Sequence, residues 1–260
     1  MPVLVLITFL LVGCQSTTSD VSDVIIPTPW VCQETGTVVA DTVPEPARGY
    51  AYDFFIYLPP CYETELERDY PVLYLVPGRS GGPKDWFNAG IAELVDELIL
   101  SGQIPPFIIV HTDDTAADGQ ATTIFGDLLP QVEQDYRILP ERHHHAAAGG
   151  SLGGIAAYRL AFQHPETFAS AGMFGSGLVS GEEPALKGWL STLSADQSPR
   201  LFLNTGEQDP LMLARAEVMV AHLEEAGIEH TAVFGPGKHT YSYWMTAMPQ
   251  YLLWMAQDWE

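Results

Sequence analysis

The sequence predicts a mostly parallel α/β sheet with helices on both faces, and three observations predict it. Short apolar runs alternate with segments of helical period along most of the chain. Several of those runs are apolar without interruption, the pattern of strands covered on both faces. Two strand-like segments precede the first helical pattern, so the sheet is expected to begin antiparallel.

Residues 37–43 and 50–58 read as the opening strands, the second breaking at Pro59-Pro60. The run YPVLYLV at 70–76 is a buried strand. Residues 91–100 carry Ile91, Leu94, Val95, Leu98 and Ile99 at helical spacing, and Gly102 can end that helix. Residues 107–110 form the next strand. Residues 122–136 read mostly as helix, interrupted by Pro130. Residues 143–149 lead into a helix at 152–162, followed by a strand at 168–174 and a weak helix at 186–193. The rest alternates strand 201–204, helix 211–226, strand 229–234 and an aromatic-rich helix 243–254.

The chain has 260 residues, 47% apolar and 17% charged, which suits one large globular domain. Its 11 Lys and Arg face 33 Asp and Glu, a formal net charge of −22. A surface so acidic repels phosphate backbones and anionic headgroups, which argues against nucleic acid and membrane surfaces as partners.

Residues 3–12 are almost continuously apolar, too short to span a bilayer but suited to a signal-peptide core. The following Leu11-Val12-Gly13-Cys14 resembles the lipobox of bacterial lipoproteins. That resemblance implies a signal peptide over 1–13 and a lipid on Cys14, the membrane then being engaged only through that anchor. No Lys or Arg precedes the apolar run, and the other reading is an ordinary secretory signal cut nearby. Residues 14–30, rich in Ser, Thr, Asp and Pro, read as a solvated tether, and 31–260 as one globular domain. The chain is expected to be exported, as a cell-surface or periplasmic lipoprotein or as a secreted protein. Setting Cys14 aside leaves Cys32 and Cys61, an even pair able to form one disulfide in an oxidising compartment.

The chemistry concentrates in AAAGGSLGG at 146–154, which holds Gly-x-Ser-x-Gly at Gly149, Ser151 and Gly153 between an expected strand and helix. A nucleophile at a strand end sits on so tight a turn that its neighbours must be small. The following helix points its N-terminus at the site and favours developing negative charge. Further along, strand 201–204 ends in the acidic loop Thr205-Gly206-Glu207-Gln208-Asp209-Pro210, and Gly235-Pro236-Gly237-Lys238-His239 lies between a strand and the last helix. Ser151, Asp209 and His239 therefore follow one another at three strand ends, where open α/β sheets place ligands. His239 would serve as general base and then general acid, and Asp209 would orient its imidazole. Glu207 is the competing acid. Asp209 is preferred because it closes the loop before the helix-starting Pro210. For the oxyanion, Leu152 supplies one backbone N–H and the loop after strand 70–76 another, at Arg79 or alternatively Ser80.

The segments YLPPCY (57–62), YPVLYLVPG (70–78), GGSLGG (149–154), GEQDP (206–210) and GKHTYSYW (237–244) resemble the putative esterase branch of the α/β-hydrolases, which includes esterase D, enterochelin-esterase-like, feruloyl-esterase-like and mycolyltransferase-like proteins. The resemblance implies an α/β-hydrolase fold and places nucleophile, acid and base on Ser151, Asp209 and His239. One departure stands out: many relatives carry His-Gly before the oxyanion loop, and here the pair is Pro77-Gly78.

Trp86 and Tyr241 are candidates for lining the substrate pocket, while Trp244 reads as core. His143-His144-His145 cannot converge on one metal ion from a strand, so no metal site is expected there, and the chemistry requires no cofactor. The expected activity is a serine carboxylesterase on small-molecule or carbohydrate-linked esters, of soluble short-chain or aryl type such as feruloyl or acetyl esters. An acyltransferase using the same triad with an alcohol or sugar acceptor is the alternative, and a non-catalytic surface binding protein is a third. The interval between strands 168–174 and 201–204 is too short for a cap domain. An open cleft is therefore expected, walled by residues 79–86, 113–120 and 176–184.

Overall fold

A computed structural model describes residues 32–44, 51–79, 82, 84–112 and 124–259. The expected signal peptide, Cys14 and the tether lie outside the described residues, as do Ser80 and the expected wall at 113–120. Residues 32–260 form one compact unit.

Eight strands form one sheet: β1 (Thr37–Val43), β2 (Tyr52–Leu58), β3 (Val72–Val76), β4 (Ile108–Thr112), β5 (His145–Gly150), β6 (Ser170–Phe174), β7 (Arg200–Gly206) and β8 (His230–Gly235). Their spatial order is β1-β2-β4-β3-β5-β6-β7-β8. β2 pairs antiparallel with both β1 and β4, and every later pairing is parallel. The antiparallel opening and the parallel remainder are as the sequence predicts. β3 has β4 on one side and β5 on the other, so the chain reverses its direction of travel across the sheet there. Such a switch point opens a crevice beyond the strands' carboxyl ends.

The helices are α1 (Asp85–Asn88), α2 (Ile91–Leu100), α3 (Leu129–Asp135), α4 (Leu152–Gln163), α5 (Glu183–Thr192), α6 (Pro210–Ala226) and α7 (Tyr241–Met255). The stretch 122–136, expected to be mostly helix interrupted at Pro130, is helical over 124–135: a π-helical turn, Ile124–Leu128, runs directly into α3. Pro130 stands in the first turn of α3, where its missing N–H leaves no hydrogen bond unmade. The three histidines also differ from expectation. Arg142–His144 form a 3-10 turn, and only His145 lies on β5, buried with its Nε2 2.8 Å from the Leu139 carbonyl.

Successive residues of β5 show which helices cover which face. A Cβ on Gly149 would lie 2.5 Å from the Gly153 backbone of α4, and one on Gly150 would lie 2.3 Å from the Trp244 ring of α7. Neighbouring strand residues point to opposite faces, so α4 and α7 pack on opposite sides of the sheet. The α4 side holds Tyr74, Met173 and Leu203 among its buried apolar side chains. On the α7 side Phe202 packs against Tyr251 at 5.5 Å and Trp254 at 5.6 Å between ring centroids. Between β6 and β7 lie only α5 and a short 3-10 turn, so that interval carries no cap domain.

Cys32 and Cys61 are disulfide-bonded, with Cα atoms 6.0 Å apart and a sequence separation of 29. The bridge ties the segment before the edge strand β1 to the turn after β2.

Candidate active site

Ser151 stands between β5 and α4 with φ 54° and ψ −113°, a left-handed conformation that non-glycine residues rarely adopt. Its neighbours over-determine the strain. The Ser151 N–H donates to the Phe174 carbonyl at 2.7 Å, and its own carbonyl accepts from the Gly154 N–H at 3.1 Å. The turn closes only because Gly149 and Gly153 meet with no side chain between them: a Cβ on Gly153 would lie 2.2 Å from the Val76 carbonyl oxygen. The Gly-x-Ser-x-Gly spacing is thus a packing requirement among β3, β5 and α4.

A second pair of loops meets beyond β7 and β8. Gly206 and Gly235 are register partners at the strand ends. Beyond them the Glu207 N–H donates to the Gly235 carbonyl at 2.8 Å, and the Gln208 N–H donates to the Gly237 carbonyl at 2.9 Å. These bonds lay the acidic loop along the His239 loop and bring His239 Nδ1 to 2.5 Å from Asp209 Oδ2. Asp209 is 13% exposed and His239 39% exposed. With Asp209 ionised, Nδ1–H is the donor and Nε2 is left as the basic nitrogen. Glu207 is exposed, and among the described residues the carboxylate against His239 is that of Asp209.

Ser151, His239, Gly78, Arg79, Tyr241 and Trp244 line one cleft of about 470 Å³. It lies at the carboxyl ends of β3, β5 and β8, beside the switch point. Arg79 sits on the cleft wall, and Leu152 opens α4, where its N–H has no intrahelical acceptor. Of the two aromatic candidates, Tyr241 lines the cleft. Trp86 does not: it is fully buried behind Tyr241, its indole N–H donating to the Val76 carbonyl at 3.3 Å and its ring 4.9 Å from that of Tyr241. Burial pushes the Tyr241 phenol up to about 12.

Trp244, read from the sequence as core, is nearly buried yet forms part of the cleft, with its ring 5.1 Å from that of His239. No local pattern in the sequence pointed to it. The turn at Ser151 needs small residues at 149 and 153, whereas at Gly150 it is the Trp244 ring that occupies the space a side chain would take.

None of residues 176–184, the expected wall, lines the cleft, and the segment is buried only over 176–178. Ser176 and Leu178 are buried, and Glu182 is held by Arg159 at 2.9 Å and by the hydroxyl of Tyr158. The histidines at 143–145 lie at the amino end of β5, the opposite end from Ser151. Among the described residues no group of three or more His, Cys, Asp or Glu is placed to hold a metal ion.

Comparison with known proteins gives a consistent picture. A family model described as putative esterase matches residues 47–255. An endo-1,4-beta-xylanase/feruloyl esterase of Xylanibacter ruminicola is 29% identical over 144 residues, which are 49% of this chain and 20% of that protein. The iron(III) salmochelin esterase of Escherichia coli is 26% identical over 196 residues, 63% of this chain and 46% of that protein. The match thus takes in less than half the length of either relative. Among solved structures, the feruloyl esterase module from Clostridium thermocellum complexed with sinapinate superposes with a TM-score of 0.74 at 19% identity, covering 88% of this chain and 91% of that one. That likeness shows the fold, an α/β-hydrolase.

Proposed function

The chain belongs to the putative esterase family, and from that premise we propose that it is a serine carboxylesterase acting through Ser151, His239 and Asp209. The observation that carries the reading is the contact between Asp209 and His239 at the rim of a cleft that also holds a serine in left-handed conformation. In the proposed reaction His239 Nε2 takes the Ser151 proton as Oγ attacks the ester carbonyl. The negative charge passes to the carbonyl oxygen, which accepts hydrogen bonds from the Leu152 and Arg79 N–H groups. Collapse breaks the ester bond, and His239 returns its proton to the leaving alcohol. Water, deprotonated by His239, then releases the acid from the acyl-enzyme. Asp209 holds the imidazole tautomer and stabilises the imidazolium in both halves.

The substrate class follows from the cleft. A volume of about 470 Å³ suits one aromatic acid or a short acyl group. No cap between β6 and β7 wraps a long chain. Relatives named feruloyl esterase and salmochelin esterase, and a structural neighbour solved with sinapinate, support aryl-type esters. The disulfide supports export to an oxidising compartment, and a lipid on Cys14 remains part of the proposal.

The test is a chain-length series of p-nitrophenyl esters, a feruloyl ester and an emulsified triglyceride, each with and without added alcohol. Fast turnover of short-chain or aryl esters to the free acid is expected. Rates that climb with acyl length and rise sharply above the solubility limit would indicate a lipase. Transfer to the added alcohol in preference to water would indicate an acyltransferase.

A further inference from the structure

We propose that Tyr241 is a positioning residue whose hydroxyl holds the oxyanion loop, at Gly78 and Arg79, against Ser151. The proposal rests on the serine-esterase reading and deepens it at the same site.

The loop leaves β3 at Val76-Pro77-Gly78-Arg79, and Pro77 has no N–H with which to fix it. Two side chains from elsewhere grip it on either side of that proline. Trp86 Nε1–H donates to the Val76 carbonyl at 3.3 Å, and the Gly78 N–H donates to the Tyr241 hydroxyl oxygen at 3.4 Å. The two gripping rings pack edge to face at 4.9 Å, and Tyr241 packs equally closely against Trp244, again 4.9 Å between centroids. The hydroxyl is therefore aimed by a rigid aromatic cluster.

Its target lies directly against the nucleophile. A Cβ on Gly78 would lie 3.3 Å from the Gly150 carbonyl oxygen and 3.5 Å from Ser151 Cβ. A shift of Gly78 thus moves the neighbouring Arg79 N–H relative to Ser151 Oγ. Tyr241 also opens α7, two residues after His239, so one bond joins the oxyanion loop to the loop of the base across 163 positions of sequence. A phenol is protonated at neutral pH even when exposed, and burial only raises Tyr241 further, so its oxygen is a neutral acceptor with a proton to give onward, and Asp85 is close enough to interact with it.

Loss of an oxyanion donor lowers turnover by roughly 100- to 1000-fold, and a displaced donor forfeits part of that. Tyr241→Phe keeps the ring and deletes only the hydroxyl. We measure kcat and KM on an aryl ester, the inhibition constant of a trifluoromethyl ketone that forms an oxyanion on Ser151, and the melting temperature. The expected result is a fall in kcat of about tenfold, KM within twofold of the parent, and ketone affinity weakened by about the same factor as kcat. Three results overturn the proposal: kcat within twofold of the parent, a raised KM with kcat unchanged, or a fall in kcat with unchanged ketone affinity. Failure of the underlying reading looks different, because then Ser151→Ala retains the parent rate and the ketone does not inhibit the parent enzyme.

Discussion

A serine at φ 54° is a costly residue, and its surroundings are built to keep it there. Because the strain is imposed by backbone packing, Ser151→Ala should fold with a melting temperature near that of the parent while ester hydrolysis falls by at least about 1000-fold. Asp209→Asn should keep the geometry and disfavour the productive imidazole tautomer, lowering kcat on the order of 10⁴-fold. Steady-state kinetics beside thermal melts check both. The glycine before the serine makes a different case. Gly150→Ala places a methyl 2.3 Å from the Trp244 ring, which must move, and overpacking of this kind costs about 1–3 kcal/mol. We expect a lower melting temperature and a lower kcat together, since Trp244 packs on His239, with partial recovery in the Gly150→Ala, Trp244→Leu double variant. If Gly150→Ala leaves both quantities unchanged, Trp244 is not the constraint on that position. Ser151, Asp209 and His239 stood out in the sequence because each sits in a local pattern of small residues or acids at an expected strand end. Trp244 did not, since its role depends on a contact with a strand some 94 positions away in sequence, and no local pattern records such a contact.

Helices and strands were legible to different degrees, for physical reasons. The helix α2 follows its apolar period closely, with Ile91, Val95, Leu98 and Ile99 buried and Leu94 half-buried, because one face packs inward and the other is solvated. The helical reading of 122–136 holds over residues 124–135, but Pro130 does not interrupt the helix there, because it falls in the first turn of α3. The segment after β6 was expected to wall the cleft, and none of residues 176–184 lines it. Glu182 is instead drawn in by Arg159 and Tyr158, a pairing invisible before α4 is folded beside it. The edge strand β1 owes its place to β2 on one side and to the disulfide beneath. Opening the bridge frees a loop of 29 positions, worth roughly 3–4 kcal/mol in the chain-entropy model. Cys32→Ser with Cys61→Ser should therefore lower the melting temperature by about 10 °C and leave kcat within about twofold, because the bridge lies at the end of the sheet away from Ser151. Calorimetry with and without reductant checks the first, and a bridge that contributes nothing would leave the two scans superimposed.

At the scale of the molecule, the sequence set the strand directions but not the full strand order. That β4 lies outside β3 while β5 returns to its other side is decided by how the crossovers pack, and this return creates the crevice that the cleft occupies. The same close packing buries tyrosines throughout the sheet and its helices. Tyr57, Tyr74, Tyr158 and Tyr251 are fully buried or nearly so, and burial pushes each phenol above its ordinary value of 10.0. Asp96 reinforces this at Tyr57, bonded to its hydroxyl at 2.7 Å, and Glu182 does so at Tyr158. In the unfolded chain these phenols ionise near pH 10; in the folded protein they stay protonated to higher pH. The unfolded state then binds fewer protons, so stability falls as pH rises. The contribution is complete below pH 10 and is lost above it, by about 1.4 kcal/mol per pH unit for each such tyrosine until its folded value is reached. Each phenolate formed also adds to a net charge already at −22. We therefore expect the urea midpoint to hold from pH 7 to 9 and to drop steeply between pH 10 and 11, with tyrosinate absorbance appearing in step with unfolding. Tyrosinate that forms for these residues while the fold remains intact would show that the buried phenols are open to solvent. Tyr57→Phe should then flatten the alkaline slope, because it removes one ionising group from the unfolded chain.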